Sequence, residues 1–142
     1  MNDTIGGKRL SRGRMVQYKA RDGLEIEGVL TMPRGRVREN LPLIVMPHGG
    51  PWARDFGGWD SSGWVPFLTS RGYAVLRPQY RGTSGLGRKL WTSGDGEWGQ
   101  KMQDDKDDGA QWLVSEKLAD PKRIALFGFS YGGYAAMAAA VR

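Results

Sequence analysis

Two spacings of apolar residues follow one another along this chain. VQYKA (Val16 to Ala20) and LEIEGVLTM (Leu24 to Met32) alternate apolar and polar positions on either side of Arg21-Asp22-Gly23. Period-two alternation marks a strand with one face buried, and an Asp-Gly turn between two such runs predicts a β-hairpin. LPLIVM (Leu41 to Met46), YAVLRP (Tyr73 to Pro78) and Ile124 to Phe127 are instead short and apolar throughout, the pattern of strands buried on both faces. Ser61 to Arg71 carries Trp64, Val65, Phe67 and Leu68 between a serine start and a stop at Gly72, which predicts a helix whose Pro66 must lie in the first turn. Met102 to Lys117 predicts a second helix, with Asp104, Asp105, Asp107 and Asp108 near its start, where carboxylates suit the helix dipole. Tyr131 to Val141 predicts a third, and PRGRVREN between hairpin and first buried strand reads as a turn-rich loop.

A hairpin followed by strand and helix three times over implies a mainly parallel sheet covered on both faces, an α/β fold. A chain of 142 residues suits one such domain. With no internal repeat, the organisation expected is a basic flexible leader over residues 1–14 and a single unit over 15–142.

Composition narrows the class. Hydrophobic residues make up 39% and charged residues 25%, within the soluble globular range. The 22 glycines gather at GG, GxG and GxSxGG positions between apolar runs, where turns and close backbone approaches call for them. Without cysteine there is no disulfide, no thiolate zinc site and no thiol nucleophile. No run approaches roughly 18 apolar residues, and the basic N-terminus has no apolar stretch behind it, so neither a membrane span nor a secretory leader is expected. A cytoplasmic location is the expectation. Of the net charge of +6, residues 1–38 supply +5 through nine Lys/Arg against four Asp/Glu. That excess reads as a solvated tail and loop rather than a nucleic-acid surface.

Candidate chemistry sits where a strand meets a helix. Gly128-Phe129-Ser130-Tyr131-Gly132 matches G-x-S-x-G between the apolar run at Ile124 and the small-residue helix. Glycines at Gly128 and Gly132 permit a sharp turn that exposes the Ser130 hydroxyl as a nucleophile, with the Tyr131 N–H placed for an oxyanion. MPHGGPWA (Met46 to Ala53) follows the first buried strand, and a His-Gly-Gly loop there supplies the second oxyanion donor in α/β-hydrolases. Gly50 is assigned that donor, with Gly49 the near alternative. His48, the chain's one histidine, is read as a brace for this turn, and the four aspartates as a solvated helix end. Gly82 to Gly87 lacks the Gly-Lys-[Ser/Thr] ending of a phosphate loop, and the six tryptophans read as core and loop packing. Nothing in this chemistry requires a metal or a cofactor.

PHGGP, RGYAVLRPQYRGTSGLGRKLW, GEWGQKMQDDKDDGAQWL and ADPKRIALFGFSYGGYAAMAAA, in that order, resemble the catalytic domain of the prolyl oligopeptidase family of serine peptidases. The acylaminoacyl-peptidase and dipeptidyl-peptidase-like branch carries the HGGP form. RMVQYKARDGLEIEGVLTMP resembles the way that domain begins after the family's β-propeller. The resemblance covers about residues 15–142 and implies an α/β-hydrolase fold and a peptide substrate. It implies that Ser130 attacks the scissile carbonyl while the Tyr131 and Gly50 N–H groups hold the oxyanion. It departs from the family in one respect. The triad order in this fold is Ser, Asp, His, and no Asp or His follows Ser130 here. The expectation is therefore a domain truncated after the nucleophile helix, lacking the triad Asp and His and inactive alone, with the edge of the Ile124–Phe127 strand open to association. Rival readings are an esterase or lipase-like hydrolase, a nucleic-acid binder using the basic N-terminus, and a fragment completed by another chain.

Overall fold

Alternation around Asp22-Gly23 closes as a hairpin. In the computed structural model, which describes residues 10–35 and 38–142, β1 (Gly13–Lys19) pairs antiparallel with β2 (Glu25–Thr31) from Gly13↔Thr31 to Lys19↔Glu25. Gly23 takes φ +85° in the turn. The expected leader falls mostly on residues 1–9, outside the described residues, and Gly13 and Arg14 already belong to β1.

The three apolar runs become β3 (Leu41–Val45), β4 (Ala74–Pro78) and β5 (Ala119–Leu126). β3 and β4 are largely buried as expected, but β5 is not buried on both faces: it lies at the edge of the sheet, where Ile124 and Leu126 are half-buried and Ala125 is exposed. β3 pairs parallel with both β4 and β5, β2 lies antiparallel against β4, and the sheet order is β1-β2-β4-β3-β5. β5 is longer than its apolar run: Leu41 pairs with Ala119 but Leu43 with Ile124, and the irregularity between them accommodates the polar Asp120–Arg123 insert that hides the strand's start from a hydropathy reading.

Period two then sorts the strands onto two faces. Leu41, Leu43, Val45, Ala74 and Leu76 turn to α3 (Lys101–Ser115) and its Ala110 and Leu113, while Ile44 and Val75 turn to Val65 of α1 (Trp64–Ser70). Covering both faces removes the apolar strands from water, the main driving force available to a chain of this size. α1 begins later than expected. Asp60 receives the N–H groups of Ser62 at 3.0 Å and Val65 at 2.8 Å, Ser62 Oγ receives that of Trp64 at 3.4 Å, and Pro66 sits in the first turn. α2 (Arg88–Thr92) was not expected: five residues after Gly87, without a side-chain cap, leave no periodic signal. α4 (Tyr131–Ala139) follows the G-x-S-x-G match.

Two expectations hold only in part. Five of the six tryptophans (Trp52, Trp59, Trp64, Trp91 and Trp98) are exposed, because three lie in loops and two on helices too short to fold over them. Trp112 alone packs on the main core, stacked on Tyr18 at 5.8 Å. The aspartates are not all on a solvated helix end either. Met102, Asp105, Lys106, Gly109, Ala110 and Leu113 share one buried face of α3, with Asp105 and Lys106 0% exposed.

A buried carboxylate is tolerated only when it is paired and hydrogen-bonded. Asp105 accepts three strong bonds from Arg81, from its backbone N (2.8 Å), Nε (2.9 Å) and Nη2 (2.7 Å). Arg81 Nη1 also donates to Asp22 at 2.9 Å, and Arg21 donates to Asp108 through its backbone N at 2.7 Å. The hairpin turn, the segment after β4 and helix α3 are thereby tied at one point. Gly109 lets the helix lie close: a Cβ there would stand 2.8 Å from the Tyr18 ring and 2.9 Å from Leu76. Asp105→Asn leaves the buried Arg81 guanidinium undercompensated and is expected to cost about 3–5 kcal/mol in urea unfolding. A loss below 1 kcal/mol would mean that the pair does not hold α3.

Candidate active site

Between the end of β5 at Leu126 and the start of α4 at Tyr131 the chain reverses within four residues. Ser130 takes φ +56°, ψ −125°, a backbone conformation that costs a non-glycine residue roughly 1–3 kcal/mol. Its surroundings enforce it. A Cβ at Gly128 would lie 2.5 Å from the Gly132 carbonyl carbon, and one at Gly132 would collide with the Pro47 carbonyl oxygen. Gly132 N–H donates to Phe129 O at 2.9 Å and Tyr134 N–H to Ser130 O at 3.1 Å, which closes the turn into the helix. Ser130 therefore stands at the C-terminal end of the parallel strands, where open α/β sheets bind ligands.

The second arm comes from the end of β3. A Cβ on Gly49 would be 3.3 Å from Ser130 Cβ and 3.8 Å from Oγ, so this loop's backbone lies directly against the candidate nucleophile. Gly50 has φ +120°, and a Cβ there would meet Trp52 N at 2.6 Å. The N–H groups of Gly49, Gly50 and Tyr131 make no hydrogen bond among the described residues. Unspent donors at a helix N-terminus and a glycine loop can receive developing negative charge.

His48 faces away from this chemistry. Its Nδ1 lies 2.8 Å from the Gly49 carbonyl oxygen and its Nε2 2.9 Å from Thr83 Oγ1. The ring stacks on Tyr80 at 4.5 Å, and the Tyr80 hydroxyl donates to His48 O at 2.6 Å. Burial strips water from the imidazolium and lowers the pKa to about 4, so the ring is neutral near pH 7. Ser130 Oγ makes no hydrogen bond among the described residues, to His48 or to any carboxylate.

Beneath both arms lies a small separate core of Tyr80, Met102 and Tyr131. The Tyr131 hydroxyl points at Met102 Sδ at 3.6 Å, and Lys106 Nζ donates to Met102 O at 2.5 Å. Trp98 sets its edge against Tyr131 at 5.0 Å. The Gly82–Gly87 loop serves the same support: Thr83 meets His48, and Gly85 O accepts from Arg54 at 3.0 Å. Sequence reasoning missed Tyr80, Thr83 and Lys106. Only the helical spacing of Lys106 from Met102 and Ala110 marked that lysine as facing inward.

His48 makes a checkable contribution to stability. Its folded pKa of about 4 lies below the unfolded value near 6.5, so the unfolded chain binds the proton first as pH falls. The stabilisation is complete above pH about 6.5 and is lost toward pH 4, amounting to about 3 kcal/mol. Urea unfolding of wild type and His48→Gln should show this extra loss between pH 6.5 and 4 in the wild type alone. Equal slopes would overturn the buried, neutral assignment.

Residues 59–142 match the sequence model of the prolyl oligopeptidase family. The chain is 39% identical over 140 residues to dipeptidyl aminopeptidase BIII of Pseudoxanthomonas mexicana, covering 94% of this chain and 20% of that protein. It is 33% identical over 120 residues to the acylamino-acid-releasing enzyme of Mus musculus, covering 84% of this chain and 16% of the mouse protein. The crystal structure of a puromycin hydrolase superposes with a TM-score of 0.88 at 32% identity, covering 96% of this chain and 21% of that one. The chain thus spans about a sixth to a fifth of the length of these relatives.

Proposed function

This chain belongs to the prolyl oligopeptidase family, and on that premise we propose that it carries the nucleophile and oxyanion hole of a serine peptidase acting on short peptides. The observation that carries the proposal is the φ of +56° at Ser130, held in an α/β-hydrolase-type turn beside the unspent N–H groups of Tyr131 and Gly50. Constraint of that kind is kept where it presents a group for reaction.

In this reading Ser130 Oγ attacks the scissile carbonyl carbon, and the oxygen becomes an oxyanion received by the Tyr131 and Gly50 N–H groups. The amine leaves as it gains a proton, and water then releases the acyl group. The Ser130 proton needs a base. His48 is spent on Gly49 and Thr83 and is kept neutral by burial, so it serves as the brace of the second arm. The four helix aspartates are spent too: Asp105 on Arg81, Asp104 and Asp108 on Arg21, and Asp107 on Gln103 and Arg142. We assign the base and its orienting carboxylate to residues outside this segment. Loss of a triad base costs on the order of 10⁶ in turnover, which leaves the 142 residues alone with negligible activity.

A fluorophosphonate reacts with an activated serine and tests the assignment directly. In the full-length polypeptide that carries these residues, the label is expected on Ser130. Ser130→Ala should abolish labelling and lower peptide hydrolysis by about 10⁶, while His48→Gln keeps the label. A Ser130→Ala protein that hydrolyses peptides like the wild type would sink the proposal.

A further inference from the structure

Lys106 is an unexpected residue to find in a closed interior. It is 0% exposed on the inward face of α3, yet no carboxylate lies within ion-pair distance of it among the described residues, because its neighbour Asp105 is engaged by Arg81. Its Nζ donates to Met102 O at 2.5 Å and stands 3.8 Å from the centre of the Tyr80 ring and 5.3 Å from that of Tyr131. An apolar side chain would fill this space without desolvating an amine. What the amine touches explains its presence. Tyr80 holds the His48 carbonyl and so the loop bearing Gly49 and Gly50, whereas Tyr131 opens α4 and is, in the proposed reading, itself an oxyanion donor. One side chain therefore spans the supports of two arms that come from different strands.

Resting on the reading of Ser130 as nucleophile, we propose that Lys106 is a positioning residue for the oxyanion hole, its ammonium holding the Tyr80 and Tyr131 rings in register beneath the two donor arms. An ammonium is drawn to aromatic faces and adds positive potential below the point where the oxyanion forms. The neutral amine does neither. The groups facing it are Asp105 and Asp107 of its own helix, Arg81 from the segment after β4, His48 from the loop after β3, and the phenols of Tyr80 and Tyr131. Burial outweighs the two aspartates and brings the lysine pKa down to about 7, so both forms are populated near neutrality. Turnover should accordingly decline as pH rises through the Lys106 titration.

The test uses the full-length polypeptide as wild type, Lys106→Met and Lys106→Arg. It measures kcat and KM for a chromogenic peptide amide from pH 5.5 to 9.5, with fluorophosphonate labelling of Ser130 and thermal melting alongside. Lys106→Met is expected to melt no lower than wild type and to keep KM, but to lose about 10- to 100-fold in kcat below neutrality and to lack the alkaline decline. Lys106→Arg, which does not titrate, should recover part of kcat and also lack the decline. A Lys106→Met protein with wild-type kcat and profile overturns the proposal. So does one whose kcat falls equally at every pH with the decline intact, since that is merely structural. If wild-type Ser130 takes no label and Ser130→Ala turns over normally, the serine-nucleophile reading itself fails, and the role of Lys106 falls with it.

Discussion

Arg81 and Asp105 form the contact on which the arrangement around Ser130 rests. Both are buried, and neither charge is tolerable there without the other. Their hydrogen bonds bring the segment leaving β4 against α3, and that segment also carries Tyr80 and Thr83. Tyr80 is thereby set beneath the His48 carbonyl and Thr83 beside the His48 ring. The loop after β3, which presents Gly49 to Ser130, is supported from below by a pair of charges far from it in sequence. The same pair reaches the hairpin turn through Asp22, so the antiparallel part of the sheet shares the anchor.

The candidate site is built almost wholly from backbone. Ser130 contributes a hydroxyl, but its neighbours contribute N–H groups and the absence of side chains: Gly128 and Gly132 make the reversal possible, and Gly49 leaves the approach open. Such a site depends on the exact placement of main chain, and main chain at loop ends is soft unless something beneath it is stiff. The stiffness here comes from stacked rings, with Tyr80 between His48 and Tyr131, and from the buried Lys106 that caps them. A neutral His48 fits this role, because an imidazolium in the same place would need a counter-charge that the loop does not have.

Order and kind of element were legible in the sequence wherever periodicity operates over a few residues. The hairpin, the three parallel strands and the three longer helices follow from apolar spacing, and Ser130 with its flanking glycines follows from the strand-to-helix setting of G-x-S-x-G, although the edge position of β5 does not. Local chemistry suffices there, since strand alternation and glycine turns are properties of adjacent residues. α2 and the first half of β5 were hidden because short or polar segments carry no period.

The fate of charge was not legible. Four aspartates in one helix turn look alike in a sequence, yet three are partly exposed and Asp105 is sealed against Arg81, 24 positions away. Lys106 sits among them, and its helical spacing from Met102 and Ala110 gives a direction but not a partner; only the packed α3 sets it onto two tyrosines from separate strand ends. Burial of a polar group is the sum of contacts made by distant segments, and it appears only once the sheet has brought them together. The apolar pattern and the G-x-S-x-G turn set the scaffold and the strained turn at Ser130 by local rules. Which charges are desolvated, and which rings lie beneath the turn at Ser130 and the Gly49–Gly50 loop, follows from long-range packing alone.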